Sequence, residues 1–178
     1  MIRDVLASEV KWRDLALFET AIDSMLRSVD LLRLRVRDVM TDRYQVKERA
    51  TIRQQKTGKP VLIALTPRSA AALAKWINET AKHFDDFIFT RLKGDRAAPI
   101  KREHYAELVK RWAQHARLDP ANFSTHSLRR TKAAIIYAET GNLEIVRQVL
   151  GQASLSATSA YLGIDAKEAA DLAARVEV

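Results

Sequence analysis

The chain has 178 residues, 47% of them apolar and 29% charged, and no cysteine. That length and balance fit one globular domain with its own core. The missing thiols exclude disulfides, cysteine–zinc centres and cysteine nucleophiles, and no apolar run reaches the length of a membrane span. Met1-Ile2-Arg3-Asp4-Val5 lacks the shape of a signal peptide, so a cytoplasmic protein is expected.

In chain order, Trp12 to Leu34 reads as one helix, because Leu15, Phe18, Ile22, Met25 and Leu26 recur at three- and four-residue steps without Gly or Pro. Tyr44–Val46, Ala50–Arg53 and Pro60–Leu65 read as short strands of a small antiparallel sheet, with Thr57-Gly58-Lys59 as the turn between the last two. Pro67 opens a helix through Leu73, Trp76 and Ile77, and Asp85–Phe89 is a short apolar segment before a loop around Gly94 and Pro99. Tyr105 to Ala116 is amphipathic and Pro120 ends it. Ser124 or Thr125 caps the next helix and Gly141 closes it. Asn142 caps Leu143–Leu150, which Gly151 stops. A short helix then carries Tyr161, and Lys167–Val176 forms a last amphipathic helix. The fold class is mainly α with a small antiparallel sheet (α+β), in one domain over residues 1–178.

A net charge of +8 favours a polyanionic partner. Residues 1–60 carry 13 Lys/Arg against 9 Asp/Glu, residues 61–135 carry 14 against 7, and residues 136–178 only 3 against 6. A phosphate-tracking surface therefore belongs on the earlier elements, and the acidic tail reads as protein-packing material. The four histidines, at 83, 104, 115 and 126, show no metal-ligand spacing, and there is no P-loop or dinucleotide fingerprint. No metal or other cofactor is expected.

The residues that carry chemistry fall late in the chain. His126 and Arg129, in Thr125-His126-Ser127-Leu128-Arg129-Arg130-Thr131, share one helix face. Gln152 follows Arg129 by 23 positions, in Leu150-Gly151-Gln152, and Tyr161 follows Gln152 by 9. Upstream, Leu26-Arg27-Ser28-Val29-Asp30 and Gln55-Lys56-Thr57-Gly58-Lys59 add an arginine and a lysine. Opening a phosphodiester without a metal needs a nucleophile in line with phosphorus, donors for the anionic phosphorane, and an acid for the leaving oxygen. A phenol, arginines and a lysine or histidine meet those three needs.

In this order and at these spacings the set closely resembles the catalytic domain of the tyrosine recombinases, the phage integrase family, from about residue 12 to 165. The resemblance implies a site-specific DNA recombinase or integrase that cleaves and rejoins double-stranded DNA through a 3′-phosphotyrosine at Tyr161. It makes Arg27 the first phosphate-gripping arginine, with Asp30 either orienting it or forming a local ion pair. Lys56 is the leaving-group acid on a hairpin, with Lys59 or Arg53 as other reaching cations, and Lys59 and Arg130 contact the DNA backbone. His126 and Arg129 are the family's His-x-x-Arg pair.

Two departures stand out. The family usually has Gly-Leu-Arg where this chain has Met25-Leu26-Arg27, a change expected to affect packing more than chemistry. It usually has His, sometimes Trp, where this chain has Gln152, a neutral donor that cannot trade protons. A slower site follows, and the alternative is a recombinase-like DNA-binding protein with weak or lost strand transfer. The N-terminal core-binding domain of full-length members is expected to be absent. The chain is then either an excised catalytic domain or a short member like the fimbrial-type invertases. Assembly is expected to be homo-oligomeric on DNA, with a monomer left open for the free chain, and no membrane is expected. The last helix docks either on a neighbouring protomer or on its own domain.

Overall fold

Helix α2 (Trp12–Ser24) is the element around which the others gather, packing against α1 (Ile2–Ser8), α5 (Pro67–Glu79) and α7 (Thr125–Thr140). The structure, a computed structural model, describes residues 1–93 and 97–163. The expected helix over Lys167–Val176 and the loop at Gly94 lie outside the described residues. Helix α2 buries Ala16, Leu17, Phe18 and Ala21, but also Arg13, Asp14, Glu19 and Asp23. Buried charges need partners. Arg13 Nε donates to Asp14 Oδ1 at 2.8 Å, Trp112 Nε1 donates to Asp14 Oδ2 at 3.0 Å, and Arg3 pairs with Glu19.

The single helix expected over Trp12–Leu34 is in fact two. Helix α2 stops at Ser24, Met25 takes the left-handed conformation (φ 49°), and α3 (Ser28–Leu32) starts with Arg27 as its extended N-cap. The apolar spacing hid the break because no Gly or Pro marks it. Ser24 supplies the local reason. Its hydroxyl donates to the Thr20 carbonyl at 2.6 Å and accepts the Leu26 amide at 3.3 Å, an alternative to the helical ladder. The family's usual glycine at the Met25 position suits that left-handed backbone. Methionine accepts the strain and buries its side chain, 6% exposed.

After α4 (Val36–Val39), strands β1 (Arg49–Arg53) and β2 (Pro60–Ala64) pair antiparallel, Arg49 opposite Ala64 and Arg53 opposite Pro60. Ala50, Ile52, Val61 and Ile63 face inward, as the period of two requires. Tyr44–Val46 is not a strand. Tyr44 sits in a turn at φ 57°, and Val46 makes only an isolated bridge to Met40.

Helix α5 starts on a Thr66 cap, whose amide and hydroxyl both donate to Asp23. Helix α6 (Arg102–His115) begins three residues before the expected Tyr105. Ser124 caps α7 in a reciprocal box with Ser127, and Gly141 ends it at φ 62°. Asn142 caps α8 (Leu143–Leu150) through the amides of Glu144 and Ile145, and α9 (Leu155–Leu162) starts on a Ser154 cap.

The buried side chains form two clusters. The larger takes in α1 to α6, the sheet and Leu128 of α7, including Leu17, Leu31, Ile63, Leu73, Phe89 and Trp112. Trp76 also belongs to it, and Trp12 packs on its edge. The smaller consists of Met25, Ala133, Val146 and Leu150, with Tyr137 and Tyr161 among the half-buried residues against it.

Candidate active site

The break after α2 puts Arg27 where three elements meet. Because Met25 is non-helical, its carbonyl is free to accept Arg129 Nε of α7, at 2.5 Å. The C-terminus of α8 leaves the Leu150 carbonyl equally free, and it accepts Arg129 Nη2 at 2.9 Å. One guanidinium therefore joins the α2–α3 corner to the end of α8, and is itself 4% exposed. Each carbonyl lies two residues before a predicted site residue, Arg27 in one case and Gln152 in the other.

Tyr161 completes the group. The Arg129 guanidinium carbon lies 5.3 Å from the centre of the Tyr161 ring. Burial raises the Tyr161 pKa above the ordinary phenol value, and the charges of Arg129, Arg130 and Arg27 pull against that rise. Burial lowers Arg129 from its ordinary value, which the charge of Arg27 reinforces and Tyr161 and Asp30 oppose. The guanidinium remains cationic at neutral pH.

Five buried side-chain polar atoms lack a hydrogen-bond partner among the described residues, and three of them are Arg27 Nη1, Asp30 Oδ2 and Tyr161 Oη. An orphaned buried polar atom costs about 1–3 kcal/mol. Such a concentration marks a place built to receive a polar ligand. The remaining two, Thr20 Oγ1 and Tyr105 Oη, belong to the body around α2 and α6.

Other predicted residues are placed differently. No salt bridge joins Asp30 to Arg27 among the described residues; Asp30 Oδ1 instead accepts the Gln55 amide at 2.8 Å, at the root of the hairpin. Lys56 and Lys59 are exposed on that hairpin. Arg53 Nη1 donates to the Gly58 carbonyl at 2.7 Å, which ties it to the turn. His126 is exposed in the first turn of α7, one turn before Arg129, and Arg130 is exposed beside them. Gln152 is half-buried, and its Oε1 accepts the Thr158 hydroxyl at 3.0 Å, which leaves the amide hydrogens for a ligand. The Arg147 guanidinium holds the Gln152 carbonyl at 2.9 Å.

Gln54 was missed in the sequence, although a signal for it exists. The alternation that buries Ala50 and Ile52 continues to position 54 and places an amide on the inward face. A cavity of about 930 Å³ opens at the other end of α2, between Trp12, Trp76 and Trp112, and holds none of these residues. No group of three or more His, Asp or Glu suited to a metal occurs among the described residues.

Residues 2–168 match the sequence profile of the phage integrase family. The chain belongs to that family. It is 29% identical to tyrosine recombinase XerC of Chromohalobacter salexigens over 164 residues, covering 89% of this chain and 51% of that protein. It is 27% identical to the probable integrase/recombinase YoeC of Bacillus subtilis, covering 86% of this chain and 78% of that one. The chain thus spans about half the length of the XerC it matches. Among solved structures, XerA recombinase superposes with a TM-score of 0.76 at 16% identity, covering 99% of this chain and 61% of that chain. XerH recombinase bound to its difH substrate superposes at 0.74 with 20% identity, covering 99% and 52%. The fold is that of the tyrosine recombinase catalytic domain, mostly helical with a two-stranded antiparallel sheet. No helix among the described residues is long and apolar enough to cross a membrane.

Proposed function

We propose that this chain is a site-specific DNA recombinase catalytic domain that breaks and rejoins duplex DNA through Tyr161. The observation that carries the reading is the clustering of unpartnered Arg27, Asp30 and Tyr161 atoms around a guanidinium fixed by two carbonyls. A scissile phosphate supplies acceptors for Arg27 and Arg129 and puts phosphorus within reach of the phenol. Tyr161 Oη attacks phosphorus, the bond to the 5′-oxygen breaks, and the leaving oxygen takes a proton from Lys56. The phenolic proton passes to the His126 imidazole, which acts as the general base. Gln152 donates a hydrogen bond to a non-bridging oxygen. Rejoining is the reverse, and the phosphotyrosine keeps the energy of the phosphodiester, so no nucleotide is consumed.

Lys59 and Arg130 grip flanking phosphates, several protomers assemble on the site, and the reaction runs on cytoplasmic DNA. Binding made mainly through phosphates loses affinity steeply with salt. The second reading, a DNA-binding protein with reduced strand transfer, is favoured by one observation, the amide at Gln152.

The test is a nicked suicide substrate, on which the released strand diffuses away and traps the covalent complex. Expected is a DNA adduct at Tyr161 that is absent from Tyr161→Phe. Salt-dependent DNA binding without any adduct selects the second reading, and no DNA binding at low salt overturns both.

A further inference from the structure

The hairpin that carries Lys56 is joined to the end of α8 through one side chain. Gln54 is 3% exposed, and its Nε2 donates to the Leu150 carbonyl at 3.4 Å, the oxygen that also accepts Arg129 Nη2. Its Oε1 accepts the Thr57 hydroxyl at 2.8 Å. The backbone of Gln54 closes the turn from both sides, donating to the Lys59 carbonyl at 2.9 Å and accepting the Gly58 amide at 2.8 Å. One residue on, the Gln55 amide is held by Asp30. Lys56 is therefore flanked by anchored residues, while its own side chain is exposed and in no hydrogen bond among the described residues.

We infer that Gln54 is a positioning residue that sets the Lys56 ammonium against the phosphate held by Arg129. This rests on the recombinase reading above. The chemistry of the position requires an amide. The Leu150 carbonyl calls for a donor and the Thr57 hydroxyl for an acceptor, and a primary amide offers both at one end. A carboxylate would repel the carbonyl, and an aliphatic chain would leave the Thr57 hydroxyl without an acceptor and cut the hairpin's link to the Leu150 carbonyl. The fit at α8 is close: a Cβ at Gly151 would come 2.5 Å from Gln54 Nε2 and 3.2 Å from Val61 Cγ2, at a backbone φ of +60°. The Leu-Gly step before Gln152 thus also makes room for Gln54. Through one carbonyl oxygen, the group that protonates the leaving strand and the group that grips the phosphate share a reference point.

The experiment compares two suicide substrates that differ only in the 5′-bridging atom, oxygen in one and sulfur in the other. A thiolate departs without a proton, because thiols have pKa values of about 8.5, so a defect in proton delivery disappears on the sulfur substrate. Gln54→Met is expected to lose about 100-fold in cleavage of the oxygen substrate, the lower range for general-acid catalysis. On the sulfur substrate it should return to near the rate of the unaltered protein, in parallel with Lys56→Ala. An equal loss on both substrates means that Gln54 serves Arg129 or the fold, and overturns the inference. If Gln54→Met fails to fold by thermal melting, Thr57→Val, which removes only the hairpin half of the link, must show a smaller loss with the same recovery on sulfur. Failure of the unaltered protein to cleave either substrate counts against the recombinase reading itself.

Discussion

The body built on α1 to α6 and the portion built on α7 to α9 are held by very different means. The first has a continuous core, with Leu17, Leu73, Ile88 and Phe89 fully or almost fully buried. The second buries only Met25, Ala133, Val146 and Leu150 in its own cluster, and α7 leaves Ile135 half exposed. Polar links make up part of the difference. Arg129 joins the two portions through the Met25 and Leu150 carbonyls, and Lys132 reaches Asp23 at 2.9 Å. Arg27, the proposed phosphate-gripping arginine, stands beside the large core, while Tyr161, the proposed nucleophile, stands on the small one. Apolar packing joins them too, through Leu128 in the large cluster and Met25 in the small one, so alignment across the two portions depends on these hydrogen bonds together with that seam.

The largest expected effect separates chemistry from packing. Tyr161→Phe should abolish the covalent adduct and leave stability within about 0.5 kcal/mol, because the hydroxyl it removes has no hydrogen-bond partner. Denaturant melts and adduct gels check both halves. Next, Arg129→Ala should remove cleavage and also destabilise by about 3–5 kcal/mol, since it opens a buried site, orphans the Met25 carbonyl and leaves the Leu150 carbonyl only its bond from Gln54. Arg27→Ala should lose cleavage to a similar degree while costing under about 1 kcal/mol, since the structure gives Arg27 Nη1 no partner to lose.

Leu150→Ala should cost about 2–5 kcal/mol, the range for truncating a buried leucine. Hydrogen exchange should then quicken in α8 and α9 first, with α2 and α5 still protected. Equal acceleration everywhere would show that the two clusters melt as one.

A smaller effect concerns the Asp23 link. Burial raises the pKa of that carboxyl, but hydrogen bonds from Ser69, Thr66 and Lys132 outweigh it and hold the net value below the ordinary carboxylate range. A group depressed in the folded state stabilises fully above its unfolded pKa, near 3.8, and that stability fades as pH falls through the folded value. Urea melts over acidic pH should therefore show a slope that Asp23→Asn lessens. The smallest effect is at Gln152. Gln152→His should raise cleavage by up to about tenfold, by restoring an imidazole at unchanged spacing to Arg129 and Tyr161. Neutral or slower cleavage on the suicide substrate would mean that the pocket, with Thr158 bonded to the amide, has adapted to glutamine.

Much of this architecture is legible in the chain. The caps at Ser124 and Asn142 and the stops at Gly141 and Gly151 are local chemistry and stand where the residue types place them. The ordered motifs also lead to Arg27, Arg129 and Tyr161, which the fold brings together. Three features were not legible, for physical reasons. The break at Met25 depends on a Ser24 side chain competing with the helix and on a carbonyl recruited by Arg129, 104 residues away. Tyr44–Val46 has strand-like composition, but its neighbours turn before a partner can pair with it. Helix α1 is short and draws on the Arg3–Glu19 pair, a contact that sequence spacing does not reveal.

The placement of the indoles has a consequence for how this protein reports its own unfolding. All three tryptophans belong to the large cluster or pack on its edge, and Trp76 and Trp112 are anchored there by hydrogen bonds to the Ile88 carbonyl and Asp14. The small cluster has tyrosines alone, at 137 and 161. Emission excited in the indole band is therefore blind to loosening around Tyr161, whereas far-ultraviolet ellipticity counts α7 to α9 with every other helix. A thermal scan followed by both signals should give two curves that part company at the low-temperature end, and the gap between them is an optical gauge of how often Tyr161 leaves Arg129.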